Sequence, residues 1–196
     1  MPLPARTYDR TVNAEIERIL YQISVVRQEC DGLMDGLDND RFNWSPGAGT
    51  WSIAQCIDHL NVTNRLYIPI FEEGVRKGRA NGVLGEGPYS YSWLSRYMFR
   101  VMQPPVKNRF RAPKQFHPAP QRTIEEVLPE WEATHTSLEK VVADSQGLDL
   151  QRIKVPSPVT SLLKFNLGMA FWIQTAHDRR HLWQAREVRN HSRFPR

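Results

Sequence analysis

Two histidines four residues apart, His177 and His181 in "TAHDRRHLWQ", are the part of this sequence best suited to chemistry. At that spacing on a helix the imidazoles share one face about a turn apart, as two ligands of a single cation must. Gln174 and Gln184 continue the face, so a polar stripe runs through the otherwise apolar "LGMAFWIQTAHDRRHLWQA". A polar stripe turned toward a protein interior is costly unless its groups are satisfied. A metal ion with water ligands would satisfy it. A third nitrogen from another element would still leave a coordination position open, as in catalytic rather than structural zinc sites. His59, in "WSIAQCIDHL", is the leading candidate, because it sits among Ile53, Ile57 and Leu60, where a solvent-facing histidine is not expected. Imidazole donors suit zinc, nickel, copper or ferrous iron.

Other assignments compete for these residues. His135 is a rival third ligand, and His117, beside Pro118, reads as surface. Asp58 and Asp178 each adjoin a histidine, but neighbouring helical residues point about 100° apart. Both are expected to be solvated or ion-paired. Cys56, three residues before His59, reads as a packing residue before it reads as a nucleophile or soft ligand. Gln174 and Gln184 are either partners of the histidines or plain surface. No G-x-S-x-G, P-loop, dinucleotide fingerprint or H-E-x-x-H is present, so the sequence names no general base.

Four amphipathic segments must position these groups. The first, over about 9–37, repeats Ile16, Ile19, Ile23, Val26, Cys30 and Leu33 at helical spacing and ends in "DGLMDGLDND". A turn-rich connector, "RFNWSPGAGT", follows. The second helix starts at Ser52, where Gln55 completes a capping box and Trp51 is placed to staple against Cys56. Pro69 predicts a kink in it. A third helix starts at Thr123 with Glu126 as its capping partner, and Pro129 predicts an irregular first turn. The fourth is expected from about Ser161 to Asn190. No convincing period-2 alternation suggests strands. The expectation is an all-α chain: one domain over 1–196, a four-helix bundle with a long crossover between the second and third helices.

That crossover concentrates the charge. The chain has 26 Lys and Arg against 21 Asp and Glu. Residues 79–122 hold eight of the bases (Arg79, Arg96, Arg100, Lys107, Arg109, Arg111, Lys114 and Arg122) and one acid, Glu86. The basic balance is thus that of an insertion and not of the fold. Within it, "YSYSWLSRYMFRVM" predicts a short amphipathic helix that covers the bundle mouth, in preference to a nucleic-acid groove or membrane-surface helix. Two cysteines without framework spacing, no apolar leader and no membrane-length run predict a cytoplasmic protein.

The stretches "WSIAQCIDHL" and "AHDRRHLWQ", in this order and on these helices, resemble the DinB/YfiT-like metalloenzyme superfamily. The resemblance implies an up–up–down–down-type bundle with a divalent metal held by His59, His177 and His181. Zinc or nickel lead, with iron, copper or manganese as alternatives. It further implies a small-molecule substrate, a homodimer, and, from characterised relatives that use mycothiol or bacillithiol, a low-molecular-weight thiol cosubstrate. The favoured expectation is a metal-dependent enzyme of thiol-dependent S-transferase or hydrolase type. The alternative is a non-catalytic, metal-stabilised binding or stress-response bundle.

Overall fold

The computed structural model describes residues 13–105 and 112–196. The expected helical start at 9–12 and the basic residues Lys107, Arg109 and Arg111 lie outside the described residues. Helix α1 (Ala14–Met34) begins where the Asn13 side chain accepts the N–H of Glu15, and it buries the predicted stripe from Ile16 to Leu33. Gly36, at φ 65°, turns the chain in the left-handed region that a side chain would resist. The connector then holds an unanticipated short helix, α2 (Asn39–Asn43), capped by Asp38 and anchored by buried Phe42. One apolar residue in five offers too little periodicity to reveal such an element.

Helix α3 (Ile53–Ala80) starts with the complete Ser52–Gln55 capping box. Pro69 does not break it. The ring is on an exposed position, where the carbonyl it cannot bond still meets water. Helix α4 (Trp93–Met102) is the predicted amphipathic helix of the crossover. It lies on the bundle, with Phe99 edge-on to Trp172 at 5.9 Å. Helix α5 (Ile124–Asp144) opens with the Thr123–Glu126 capping box and continues through Pro129 without the irregular turn expected.

The start of the last helix needs correction. Residues expected to be helical from Ser161 instead form a strand, β2 (Thr160–Asn166), paired antiparallel with β1 (Lys154–Ser157). Helix α6 (Leu167–Arg189) begins only after it. Val155 and Phe165 face each other across the hairpin and are buried, while Leu162 is 94 % exposed. Among the described side chains of β2, the inward alternation is carried by Leu163 and Phe165, too short to register in the sequence. Val155 packs where α3 carries Gly74: a Cβ added there would lie 2.7 Å from Val155 Cγ1.

The four long helices, α1, α3, α5 and α6, form the all-α bundle. Cross-links give their directions. Glu15 accepts the indole N–H of Trp172, Gln22 meets Arg179, and Arg189 reaches the Leu33 carbonyl, so α1 and α6 run parallel. Asn61 bonds the Val127 carbonyl and Arg65 pairs with Glu130, so α3 and α5 also run parallel. Asn64 meets Gln174 while the earlier His59 meets the later His177, so α3 opposes α6. The order is therefore up–down–down–up, with two helices each way as the resemblance implies but shifted by one in sequence. Parallel α3 and α5 require a connection that returns the full length of the bundle. The long crossover supplies it.

Candidate metal centre

The beginning of α3 and the second half of α6 pass each other near one end of the bundle, and there the predicted histidines meet. His59 is 3 % exposed and His181 8 %, while His177 is half-buried. Their ring centroids are 4.5 Å (His59–His181), 4.6 Å (His177–His181) and 5.1 Å (His59–His177) apart. One ligand nitrogen from each lies within 4.8 Å of the others, a group able to hold a metal ion.

The hydrogen bonds say which nitrogens face the centre. His59 Nδ1 is 2.6 Å from the Phe116 carbonyl oxygen. A carbonyl only accepts, so Nδ1 carries the proton and Nε2 presents its lone pair. His181 Nδ1 is likewise 3.1 Å from Gln184 Oε1, leaving its Nε2 free. His177 Nε2 lies 3.3 Å from His59 Nε2. Two nitrogens each about 2.0–2.1 Å from a tetrahedral zinc ion are about 3.3–3.4 Å apart, so this pair has the separation of two ligands on one ion. The donor set fits a divalent cation.

Burial also sets the charge. It lowers the His59 pKa to about 4, against the opposing effect of the Phe116 carbonyl. Burial first holds His177 and His181 well below the usual imidazole value; His59 and the Arg180 guanidinium lower both further, and His177 adds to the effect on His181. All three are therefore neutral near pH 7, the form that ligates. An imidazole whose folded pKa is depressed takes up its proton more readily when unfolded, so its contribution is present above about 6.5 and lost as pH falls toward about 4. The metal-free protein is expected to lose roughly 5 °C or more of Tm between pH 7 and pH 4.5. Thermal melts in chelator check this, and a flat profile would contradict a buried neutral triad.

The rest of the environment comes from chain segments that sequence reasoning did not connect to the histidines. Phe116 belongs to a single 3₁₀ turn (Lys114–Phe116) in the crossover. A pair of contacts to α3 holds that segment down: buried Asp58 accepts the Ala119 N–H at 2.7 Å and meets Arg122 at 2.7 Å. Asp58 is thus ion-paired, as expected. Trp51 packs on the apolar cluster that includes Cys56, and its ring also flanks the site, 4.8 Å from His59 and 5.6 Å from His181. No sequence signal marks a backbone carbonyl contributed by a loop.

The rival residues lie elsewhere. His135 is fully buried on α5 and turns to the Trp131 carbonyl and Asp178, away from the triad. Burial pushes the Cys56 thiol far up, so it stays protonated and inert. Gln55 serves the helix cap, whereas Gln184 is a true partner of His181. Gln174 bonds Asn64 and Asp178.

Among known proteins, no curated protein and no solved structure matches this chain. Residues 22–185 match the DinB superfamily. That span takes in α3 and α5 whole, most of α1 and α6, and His59, His177 and His181 together. The chain belongs to the DinB superfamily.

Proposed function

We propose that this protein is a divalent-metal-dependent enzyme whose cation is held by His59, His177 and His181 and acts on a thiol or a water. The observation that carries the reading is the convergence of three neutral imidazoles, two of them with the outer nitrogen already engaged, on one point. When bound, a divalent cation supplies Lewis acidity that lowers the pKa of a thiol or water enough to yield a nucleophile near neutral pH. The chain's own residues orient and shield. The Phe116 carbonyl and Gln184 hold the His59 and His181 rings in the tautomer that presents Nε2. Trp51 walls the imidazoles on one side and limits the approach of solvent from there.

Three protein nitrogens leave a fourth position for the cosubstrate, in keeping with thiol-dependent S-transfer or hydrolysis. Zinc and nickel are the preferred ions for this donor set, with iron, copper or manganese as alternatives. The test is elemental analysis of protein purified without added metal, followed by cobalt substitution and titration with a low-molecular-weight thiol. The expected result is about one ion per chain and a visible cobalt spectrum that changes on adding thiol. A spectrum indifferent to thiol and to pH would favour a metal-stabilised bundle without catalysis, and no bound ion would end the metal reading.

A further inference from the structure

Deeper in the bundle, α3, α5 and α6 enclose a second group of polar side chains that the metal centre does not use. Gln174 Nε2 donates to Asn64 Oδ1 at 2.8 Å and to Asp178 Oδ1 at 3.2 Å. Asp178 Oδ2 faces His135 Nε2 at 3.5 Å, and the His135 ring stacks on Trp131 at 3.6 Å between centroids. Asn61, one turn before Asn64 on α3, gives its amide N–H to the Val127 carbonyl, one turn before Trp131 on α5. The contacts run continuously from Asn64 through Gln174, Asp178 and His135 to Trp131, across three helices, with Asn61 one turn away, and each of these side chains is at most 2 % exposed.

Within it, five buried atoms have no hydrogen-bond partner among the described residues: Asn61 Oδ1, Asn64 Nδ2, Trp131 Nε1, His135 Nε2 and Asp178 Oδ2. Folded proteins leave only a few such atoms per hundred residues, and five on neighbouring turns of three packed helices call for a ligand. The chemistry of the set identifies its class. Trp131 Nε1 and Asn64 Nδ2 are donors. Asn61 Oδ1 and Asp178 Oδ2 are acceptors, and so is His135 Nε2, because Nδ1 gives its proton to the Trp131 carbonyl. Donors repel a cation and a carboxylate repels an anion. Neutral molecules that both donate and accept suit so mixed a set.

We propose that this cluster is a binding site for ordered internal water, independent of the metal centre and one helical face removed from it. A water there donates to Asp178 Oδ2 or His135 Nε2, whose 3.5 Å separation is too long for a good direct bond, and its oxygen is open to donors such as Trp131 Nε1 and Asn64 Nδ2. It supplies the partners that allow Asp178 to be buried between His177 and His181 in sequence, so α6 keeps one rotation.

High-resolution diffraction from the full chain, with water-selective NMR on the same protein labelled with nitrogen-15, tests the assignment. The expected result is ordered density within hydrogen-bond reach of at least two of the five atoms, with a cross-peak from long-lived water to the Trp131 indole N–H. Trp131→Phe assigns that resonance, and the diffraction measurement stands whether or not the variant folds. An interior without such density, in which the five atoms pair directly with protein groups, overturns the proposal. Because neither readout involves a metal, failure here leaves the reading of the histidine triad untouched.

Discussion

Replacing His177 with alanine is expected to weaken divalent-metal binding by about 10²–10³-fold and leave the bundle folded. The size follows from sharing an affinity of roughly 10 kcal/mol among three nitrogens, so that losing one costs about 3–4 kcal/mol. His177 suits the test better than its partners because it is the half-buried member of the triad, so truncation leaves the smallest void. Its Nε2, 3.3 Å from that of His59, has no substitute nearby, because His135 is committed to Trp131 and Asp178. Competition with a chromophoric chelator measures the affinity, and circular dichroism of the metal-free variant checks the fold. Unchanged affinity would remove His177 from the site.

Arg122→Met is expected to destabilise the protein by about 2–4 kcal/mol, discounted from the roughly 3–5 kcal/mol for removing one partner of a fully buried ion pair. Asp58, 2 % exposed, would keep its charge and the Ala119 N–H but lose the guanidinium at 2.7 Å. The discount reflects the Arg122 side chain, a quarter exposed and also paired with Glu130 at 2.8 Å. Urea denaturation reads the loss as a lower midpoint at unchanged slope. A second consequence separates this pair from an ordinary ion pair. The Asp58–Arg122 contact holds the segment that delivers the Phe116 carbonyl to His59. Metal affinity should therefore fall about tenfold or more, in line with the loss of a group that orients a ligand. The double substitution Asp58→Leu with Arg122→Met should recover stability without recovering affinity. A variant that loses stability yet binds metal as before would show that the loop carbonyl does not orient His59.

Much of the architecture could be read before any coordinates. The capping boxes at Ser52 and Thr123 mark the starts of α3 and α5 because hydroxyl and amide partners three residues apart solve the same local problem wherever they occur. The stripe from Ile16 to Leu33 defines α1 because helical period and burial coincide. The hairpin was missed because its inward-facing pair, Leu163 and Phe165, is too brief to outweigh an apolar run leading straight into α6. At exposed positions on long, well-packed helices, Pro69 and Pro129 each forfeit one backbone bond and stay within a continuous element.

For the site, the sequence by itself determined the pairing of His177 with His181, since a four-residue step on a helix fixes their common face. It also nominated His59 through apolar neighbours and family resemblance. Only the tertiary structure brought His59, and not His135, up to the His177–His181 pair. That choice depends on the relative rotation of three helices, which arises from packing over the whole bundle and not from any local pattern. The Phe116 carbonyl, the Trp51 ring and the Asp58–Arg122 tether were likewise decided by the fold alone. A contact between residues 57 apart, made through a backbone atom common to every residue, leaves no trace in side-chain type.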